Sequence, residues 1–348
     1  MQALILAGGK GTRLRPLTVY TPKPIAPICN RPFLLYQIET LKKAGITDIT
    51  LCLSYQPDKI EQLLGDGARL GVHLKYTVEP QPMGTAGAYK FAADLIREPT
   101  VIFNGDILTD IDLGAVIDQH RARQATATIV LTPVENPSAY GLVETHEDGR
   151  VSRFLEKPKP DQITCNTINA GTYILEPKVL DMIPVGEFYM FEYGVFPSLL
   201  TNGEPFFAHV PAGTYWLDIG TPARYLQAHY DLLADRVERL QLGERRGKAE
   251  ISAEAEIDEL SMIGDDCVIK PGARIVNSVL GQGCHVEEKA VIENSVVWAH
   301  SHIGEGAHLD AAMVGRGAHI GRFAEVGPGT VLGDKSSLTD YTIIAAPN

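Results

Sequence analysis

The chain has 348 residues, 45% hydrophobic and 21% charged, with a formal net charge of −12, enough for two domains with ordinary cores. That charge argues against DNA or RNA as a partner, because a polyanion would be repelled and the sequence shows no concentrated basic patch. No apolar run approaches the ~20 residues that span a bilayer, and Met1 leads straight into a strand pattern without a signal-peptide n-region, so no membrane partner and a cytoplasmic location are expected. The five cysteines, Cys29, Cys52, Cys165, Cys267 and Cys284, form no C-x-x-C pair and read as buried structural thiols.

Ala3 to Ala7 is a short apolar run suited to a strand buried on both faces, and it breaks at once into Gly8, Gly9 and Gly11. Glycines there let successive N–H groups converge on an anion. Arg13 adds a planar fork of donors, and Lys23, bracketed by Pro22 and Pro24, adds a compact point charge. A polyphosphate is the expected guest. The P-loop pattern fails because Lys10 is followed by Gly11, and the dinucleotide pattern fails because Leu14 stands where its third glycine belongs.

The whole segment, with Thr12-Arg13-Leu14, Pro16 and Pro22-Lys23-Pro24, resembles the signature of the sugar-1-phosphate nucleotidyltransferases and is most similar to the mannose-1-phosphate guanylyltransferase branch. The resemblance implies that Leu6, Ala7, Gly8, Gly9, Gly11, Thr12 and Arg13 wrap a nucleoside triphosphate. It also implies that Arg13 and Lys23 hold the phosphates that depart as pyrophosphate.

Further along, helical spacing over Phe33–Ala44, Pro57–Leu64 and about Ala86–Arg97 alternates with strand patterns at Ile49–Leu53, Leu74–Val78 and Thr100–Phe103. This predicts an α/β fold, a mostly parallel Rossmann-like sheet with helices on both faces and a ligand at the carboxyl ends of its strands. Glu79 to Ala86 (EPQPMGTA) joins a strand to a helix: Pro80 and Pro82 stiffen it, Gly84 permits close approach and Thr85 is expected to cap the helix. In the family this stretch reads the base. Glu79 stands where the thymidylyl and uridylyl enzymes commonly carry glutamine, and a carboxylate, which only accepts, suits the N1–H and N2–H edge of guanine.

Asp106 ends one buried strand and Asp218 another, and they resemble the family's magnesium-binding pair. Mg²⁺ shared with nucleotide phosphates typically takes one or two carboxylates. Between them Tyr140-Gly141, Glu156-Lys157 and Asn169 each place a polar group or a strand edge beside glycine or proline. By the resemblance Tyr140, Gly141, Glu156 and Asn169 bind the sugar and Lys157 its phosphate. Phe188 to Val195 departs from the family's acidic run, keeping only Glu192, and is left outside the expected site.

From about Ala234 to Glu250 the sequence turns polar, and then a strict rhythm begins. Ile257, Ile263, Ile269 and Ile275, and later Val314, Ile320, Val326, Leu332 and Leu338, recur every six residues. This hexapeptide repeat marks a left-handed parallel β-helix. Leu280, Val297 and Val314 lie seventeen apart, each reached by one five-residue step, so those coils are one residue short at the same corner. His285, His300, His302, His308 and His319 read as solvated turn residues, and the repeat as the surface through which a homo-oligomer forms.

The expected domains are a catalytic domain at 1–233, a linker at 234–250 and the β-helix at 251–348. The expected reaction joins a nucleoside monophosphate from an NTP to a sugar 1-phosphate and releases pyrophosphate, with Mg²⁺ as cofactor and GTP and mannose 1-phosphate as preferred substrates. A glucose-1-phosphate thymidylyl- or uridylyltransferase is the close alternative. A non-catalytic nucleotide-sugar-binding regulatory subunit is the alternative of another class, disfavoured because Gly11, Arg13, Lys23, Asp106, Lys157 and Asp218 are all present.

Overall fold

The computed structural model describes residues 1–345. The chain divides into two compact units, Met1–Lys10 with Gln37–Trp216, and Gly11–Tyr36 with the chain from Leu217 onward.

The first unit is built on a nine-stranded sheet. Its first seven elements are β1 (Gln2–Leu6), α1 (Leu34–Lys43), β2 (Asp48–Leu53), α2 (Pro57–Leu64), β3 (His73–Val78), α3 (Gly84–Phe91) and β4 (Thr100–Asn104). β3, β2, β1 and β4 lie side by side and parallel, the order of a Rossmann-like half. β1 is apolar on both faces because it is central, with Leu4 and Ile5 fully buried. The expected helix to Arg97 ends at Phe91 and continues as a 3₁₀ turn, Ala93–Leu95. The Gln2 side chain explains the break: it donates to Leu95 O at 3.2 Å and accepts from Arg97 N at 3.3 Å, drawing that main chain to the sheet.

Beyond α4 (Leu113–Ala122) the remaining strands are β5 (Ala127–Pro133), β6 (Gly141–Thr145), β7 (Val151–Glu156), β8 (Thr167–Leu175) and β9 (Phe206–His209). β8 runs antiparallel to β4 and turns the sheet from parallel to mixed. Phe188 to Val195 leads into a π-helix, Phe191–Val195, that continues as α5 (Phe196–Thr201). Phe191 and Phe196 stack at 5.8 Å, and Phe196 and Phe206 at 5.5 Å. This segment is therefore core on one side, although Phe188 and Tyr193 are exposed.

In the second unit, the described residues from Glu250 onward form three parallel ladders of six, six and five two- or three-residue strands. Each coil of a left-handed β-helix contributes one strand to each ladder. Ile263, Leu280, Val297 and Val314 stack in the interior, as do Ile275, Ile292 and Leu309. The short corner has a chemical cause. Asn277, Asn294 and Ala311 turn there with positive φ. Beside them a serine hydroxyl replaces a main-chain acceptor: Ser261 Oγ accepts from Ser278 N, Ser278 Oγ from Ser295 N, and Ser295 Oγ from Ala312 N, at 3.0–3.1 Å. Where the step lengthens to six, Gly329 carries the positive φ instead. Four of the five histidines lie on strands rather than in turns, with His302 against Glu287 at 3.0 Å and ring-stacked on His319. His300 turns a corner.

Among the described residues no helix is long and apolar enough to cross a membrane. Ser278→Ala should strip the acceptor from the buried Ser295 N–H and destabilise the β-helix by roughly 1–3 kcal/mol. A denaturation midpoint unchanged from wild type would contradict this account of the corner.

Candidate functional site

In the first unit the carboxyl ends of β1, β2, β3 and β4 converge. Leu6 pairs with Asn104 across β1 and β4, and Gly105 N donates to Leu6 O at 2.9 Å. A Cβ on Gly105 would lie 2.5 Å from that oxygen, so only glycine lets the two strand ends approach this closely and sets Asp106, half-buried, just beyond. Ala7 N donates to Cys52 O at 2.9 Å, and Ser54 Oγ donates to Gly8 O at 2.6 Å, fixing the start of the glycine loop to the end of β2. Ser54 gave no signal in the sequence, because a single serine after a strand is unremarkable. Gly9 faces open space.

Glu79 closes β3. It is 8% exposed, its Oε2 accepts from Met83 N at 2.8 Å, and its Oε1 would stand 3.3 Å from a Cβ on Gly8. Burial raises its carboxyl pKa, opposed by the Met83 N–H. Pro82 is exposed. Gly84 has φ +76, and its close neighbour is the Tyr189 main chain, whose oxygen would lie 2.5 Å from an added Cβ. Tyr189 O accepts from Ala86 N and Gly87 N, occupying the first turn of α3. Thr85 consequently does not cap α3. Its hydroxyl donates to Glu192 Oε2 at 3.0 Å and accepts from Phe191 N at 3.0 Å.

The expected sugar-side residues gather around that same contact. Glu156 ends β7, and the Glu156 carboxyl is raised by burial and by the nearby Glu192 carboxylate, opposed by Lys157. Glu192 is itself raised, chiefly by burial, with the Thr85 hydroxyl and Lys157 opposing. Lys157 is exposed and held at φ +49, its N–H donating to Tyr140 O at 2.9 Å. A non-glycine residue in the left-handed region persists where its surroundings over-determine it. Gly141 must be glycine, since a Cβ would meet Phe154 at 2.6 Å and Glu156 Oε2 at 2.9 Å. Asn169 donates to Tyr173 Oη at 2.8 Å and accepts from Gly171 N at 2.9 Å, bracing the irregularity in β8. Tyr140 packs edge-on against Trp216, whose indole N–H donates to Ala170 O at 2.9 Å. Two acceptor-only carboxylates beside an ammonium suit a hydroxyl-rich, anionic ligand.

The second unit carries the remaining cations. Gly11 takes φ +61, its carbonyl accepts from Thr18 Oγ1 at 2.7 Å, and an added Cβ would sit 3.0 Å from Lys23 Cβ. Thr12 and Arg13 are exposed on a 3₁₀ turn, and Lys23 is 7% exposed on another. Asp218 Oδ1 accepts from Gly220 N at 2.7 Å, and Oδ2 lies 3.3 Å from Arg224 Nη1. A Cβ on Gly220 would meet Arg13 Nη2 at 2.6 Å, so the Arg13 guanidinium lies against the Asp218 turn.

For a cation, Asp218 in the second unit and Asp106 in the first each offer a carboxylate. Hard oxygen donors of this kind fit Mg²⁺. Among the described residues no group of three or more His, Cys, Asp or Glu could hold a metal ion, so a magnesium ion at either carboxylate would depend on substrate phosphates for further oxygens.

Residues 2–235 match the family model described as "Nucleotidyl transferase", and residues 245–344 match "EIF2B subunit epsilon LbH domain". The chain belongs to the nucleotidyl transferase family. It is 38% identical over 290 residues to mannose-1-phosphate guanylyltransferase of Mycobacterium tuberculosis, covering 80% of this chain and 79% of that one. It is 36% identical over 281 residues to mannose-1-phosphate guanylyltransferase 1 of Arabidopsis thaliana, covering 79% and 76%. A crystal structure of a putative glucose-1-phosphate thymidylyltransferase from Bacillus anthracis in complex with a sucrose superposes with a TM-score of 0.62 at 23% identity, over 70% of this chain and 98% of that one, a likeness of fold.

In this nucleotidyl transferase the sequence reading set Glu192 aside with its segment and missed Arg224 and Trp216. Glu192 stands between the buried Phe191 and the exposed Tyr193, where a lone acid carries no motif. Arg224 follows Asp218 by six residues and lies in the first turn of α6 (Pro222–Leu233), close enough to reach back to the end of the preceding strand.

The raised pKa of Glu192 sets a sign. Its folded form favours the proton more than the unfolded one, so ionisation costs stability as pH rises from about 4.5 through the raised value. Glu192→Gln should therefore melt higher than wild type at pH 7, with the gain shrinking towards pH 4. Equal melting temperatures at pH 7 would contradict the burial of a charged carboxylate there.

Proposed function

We propose that the protein transfers GMP from GTP to mannose 1-phosphate, giving GDP-mannose and pyrophosphate. The relatives' substrates support this, and the observation that carries it is Glu79: a buried carboxylate at the end of β3 with one oxygen held by Met83 N–H and the other beside Gly8. An acceptor-only group suits guanine and leaves the acceptors of thymine or uracil without a donor. An unpaired buried polar group costs roughly 1–3 kcal/mol, so discrimination of about 5- to 150-fold is the expected scale.

A phosphate oxygen of the sugar phosphate attacks the α-phosphorus in line. One P–O bond forms, the α–β bridging P–O bond breaks, and its electron pair leaves with pyrophosphate. No side-chain nucleophile is required, because a phosphate monoester with a second pKa near 6 is largely dianionic at neutral pH. Lys157 neutralises and orients the attacking group, while Arg13 and Lys23 steady the departing one. Gly8, Gly9, Gly11 and Thr12 offer main-chain N–H groups to the triphosphate, Gly141, Glu156 and Asn169 shape the sugar pocket, and Asp106 and Asp218 would hold Mg²⁺, whose charge would offset that of the phosphates.

On this reading residues 1–233 are the catalytic domain, 234–250 the linker and 251–348, of which 346–348 lie outside the described residues, the β-helix domain, through which copies associate as a homo-oligomer working in the cytoplasm. Pyrophosphate release measured with GTP, dTTP, UTP and ATP, each against mannose or glucose 1-phosphate, tests the substrate pair; a preference for dTTP or UTP with glucose 1-phosphate would overturn it. Glu79→Gln should weaken GTP use and leave or raise dTTP use. Asp218→Ala should abolish turnover with the fold intact by circular dichroism, and retained Mg²⁺-dependent activity would remove Asp218 from the metal site.

A further inference from the structure

The segment Gly11–Tyr36 has little regular structure of its own: two 3₁₀ turns, Thr12–Leu14 and Lys23–Ile25, and a hairpin pairing Pro27–Ile28 with Arg31–Pro32. Its internal bonds set the local path of the turns, and the place of the whole segment, with Arg13 and Lys23 on it, is set by what it rests on. It belongs to one compact unit with the β-helix and meets it at Gly333 and at Leu280.

The first lies three residues after Arg13. Pro16 packs on Gly333 of the β-helix, where an added Cβ would stand 3.0 Å from Pro16 Cβ. The second is the hairpin that follows Lys23. Its turn residues Cys29 and Asn30 have φ +46 and +60, the positive angles of a two-residue hairpin turn. Asn30 Nδ2 donates to Leu280 O in the β-helix at 2.7 Å. Cys29 N donates to Nδ1 of His229 on α6 at 3.2 Å, and burial holds the His229 imidazole neutral, its pKa lowered to about 3. Trp298, on a β-helix coil, donates through its indole N–H to Tyr225 Oη at 3.2 Å, and Tyr225 Oη donates to Pro27 O. Tyr225, His229 and Trp298 are each at most 2% exposed, so these bonds are made away from competing water.

We infer that the β-helix positions the phosphate-binding segment: Gly333 seats the Arg13 turn and Asn30, with the Trp298–Tyr225 relay, pins the hairpin that directly follows the Lys23 turn. The inference rests on the reading of Arg13 and Lys23 as phosphate ligands. It makes Asn30, Trp298 and Gly333 positioning residues that touch no substrate, and gives the β-helix a part in the reaction separate from any assembly of copies.

The test compares full-length wild type with Asn30→Gly, Gly333→Ala, Trp298→Phe and, as a β-helix control away from these contacts, Arg322→Ala, which breaks only the exposed pair with Asp340. Two readouts are taken: calorimetric affinity for tripolyphosphate, a probe without base or sugar, and steady-state kinetics varying the nucleotide and the sugar phosphate separately. Asn30→Gly and Gly333→Ala should weaken tripolyphosphate binding and lower kcat/KM for the nucleotide by about 3- to 10-fold, with Trp298→Phe in the same direction. The KM for the sugar phosphate should stay within about twofold, and Arg322→Ala should match wild type. Glycine adopts the Asn30 backbone angles freely, so that variant decides the matter if Gly333→Ala or Trp298→Phe does not fold. Unchanged phosphate affinity in Asn30→Gly, a loss spread equally over both substrates, or a wild type that does not bind tripolyphosphate would overturn the inference. A wild type that binds tripolyphosphate but turns over another nucleotide or sugar would overturn the proposed substrates alone.

Discussion

The hydrogen bond from Gly105 N to Leu6 O, at 2.9 Å, is the contact on which the first unit's chemistry depends. It draws the ends of two neighbouring parallel strands together at the point where both stop being strand. From one end the glycine loop departs; from the other, Asp106. Any side chain at 105 would meet the Leu6 carbonyl and the Ala7 main chain and force these ends apart. Parallel strands deliver their carboxyl ends to one edge of a sheet, but this bond sets how closely two of those ends can approach.

The price of that concentration is a set of acids kept out of water. Glu79, Glu156 and Glu192 are all raised, with burial the largest cause in each case. Each has a specific partner, Met83 N–H for Glu79, Lys157 for Glu156 and the Thr85 hydroxyl for Glu192, but among the described residues none has a matched buried cation that would cancel the penalty. Residues held at such a cost are expected where binding, rather than stability, selects them. The π-helix that carries Glu192 belongs to the same pattern, because a widened turn within a helical segment re-aims a side chain that regular geometry would direct elsewhere.

Much of this was legible in the sequence because it follows from local chemistry. The run Ala3–Ala7 ending in glycine foretold a central strand and a loop, and the six-residue rhythm of Ile257, Ile263 and Ile269 foretold a β-helix, including its short corner. What escaped depends on partners distant in the chain. Thr85 looked like a helix cap, and it became a support for Glu192 because the Tyr189 carbonyl occupies the start of α3. The helix expected to reach Arg97 stopped early because Gln2, some ninety residues away, competes for its main chain. Asn30 carried no signal in the sequence, and only the fold shows which carbonyl it meets.

The one-residue-short corner of the β-helix has a consequence for how such a chain can change in length. Because the serine hydroxyls and positive-φ residues repeat every seventeen positions there, deletion of a single residue would carry interior side chains to the outside, whereas removal of a whole turn would leave the stacking intact. Yet each turn also spaces its neighbours by about 4.8 Å. Excising one between Leu280 and Gly333 would preserve the column while shifting the seat of Pro16 relative to that of Asn30, so evolution is free to lengthen this solenoid at its far end and constrained within the stretch that the amino-terminal segment spans.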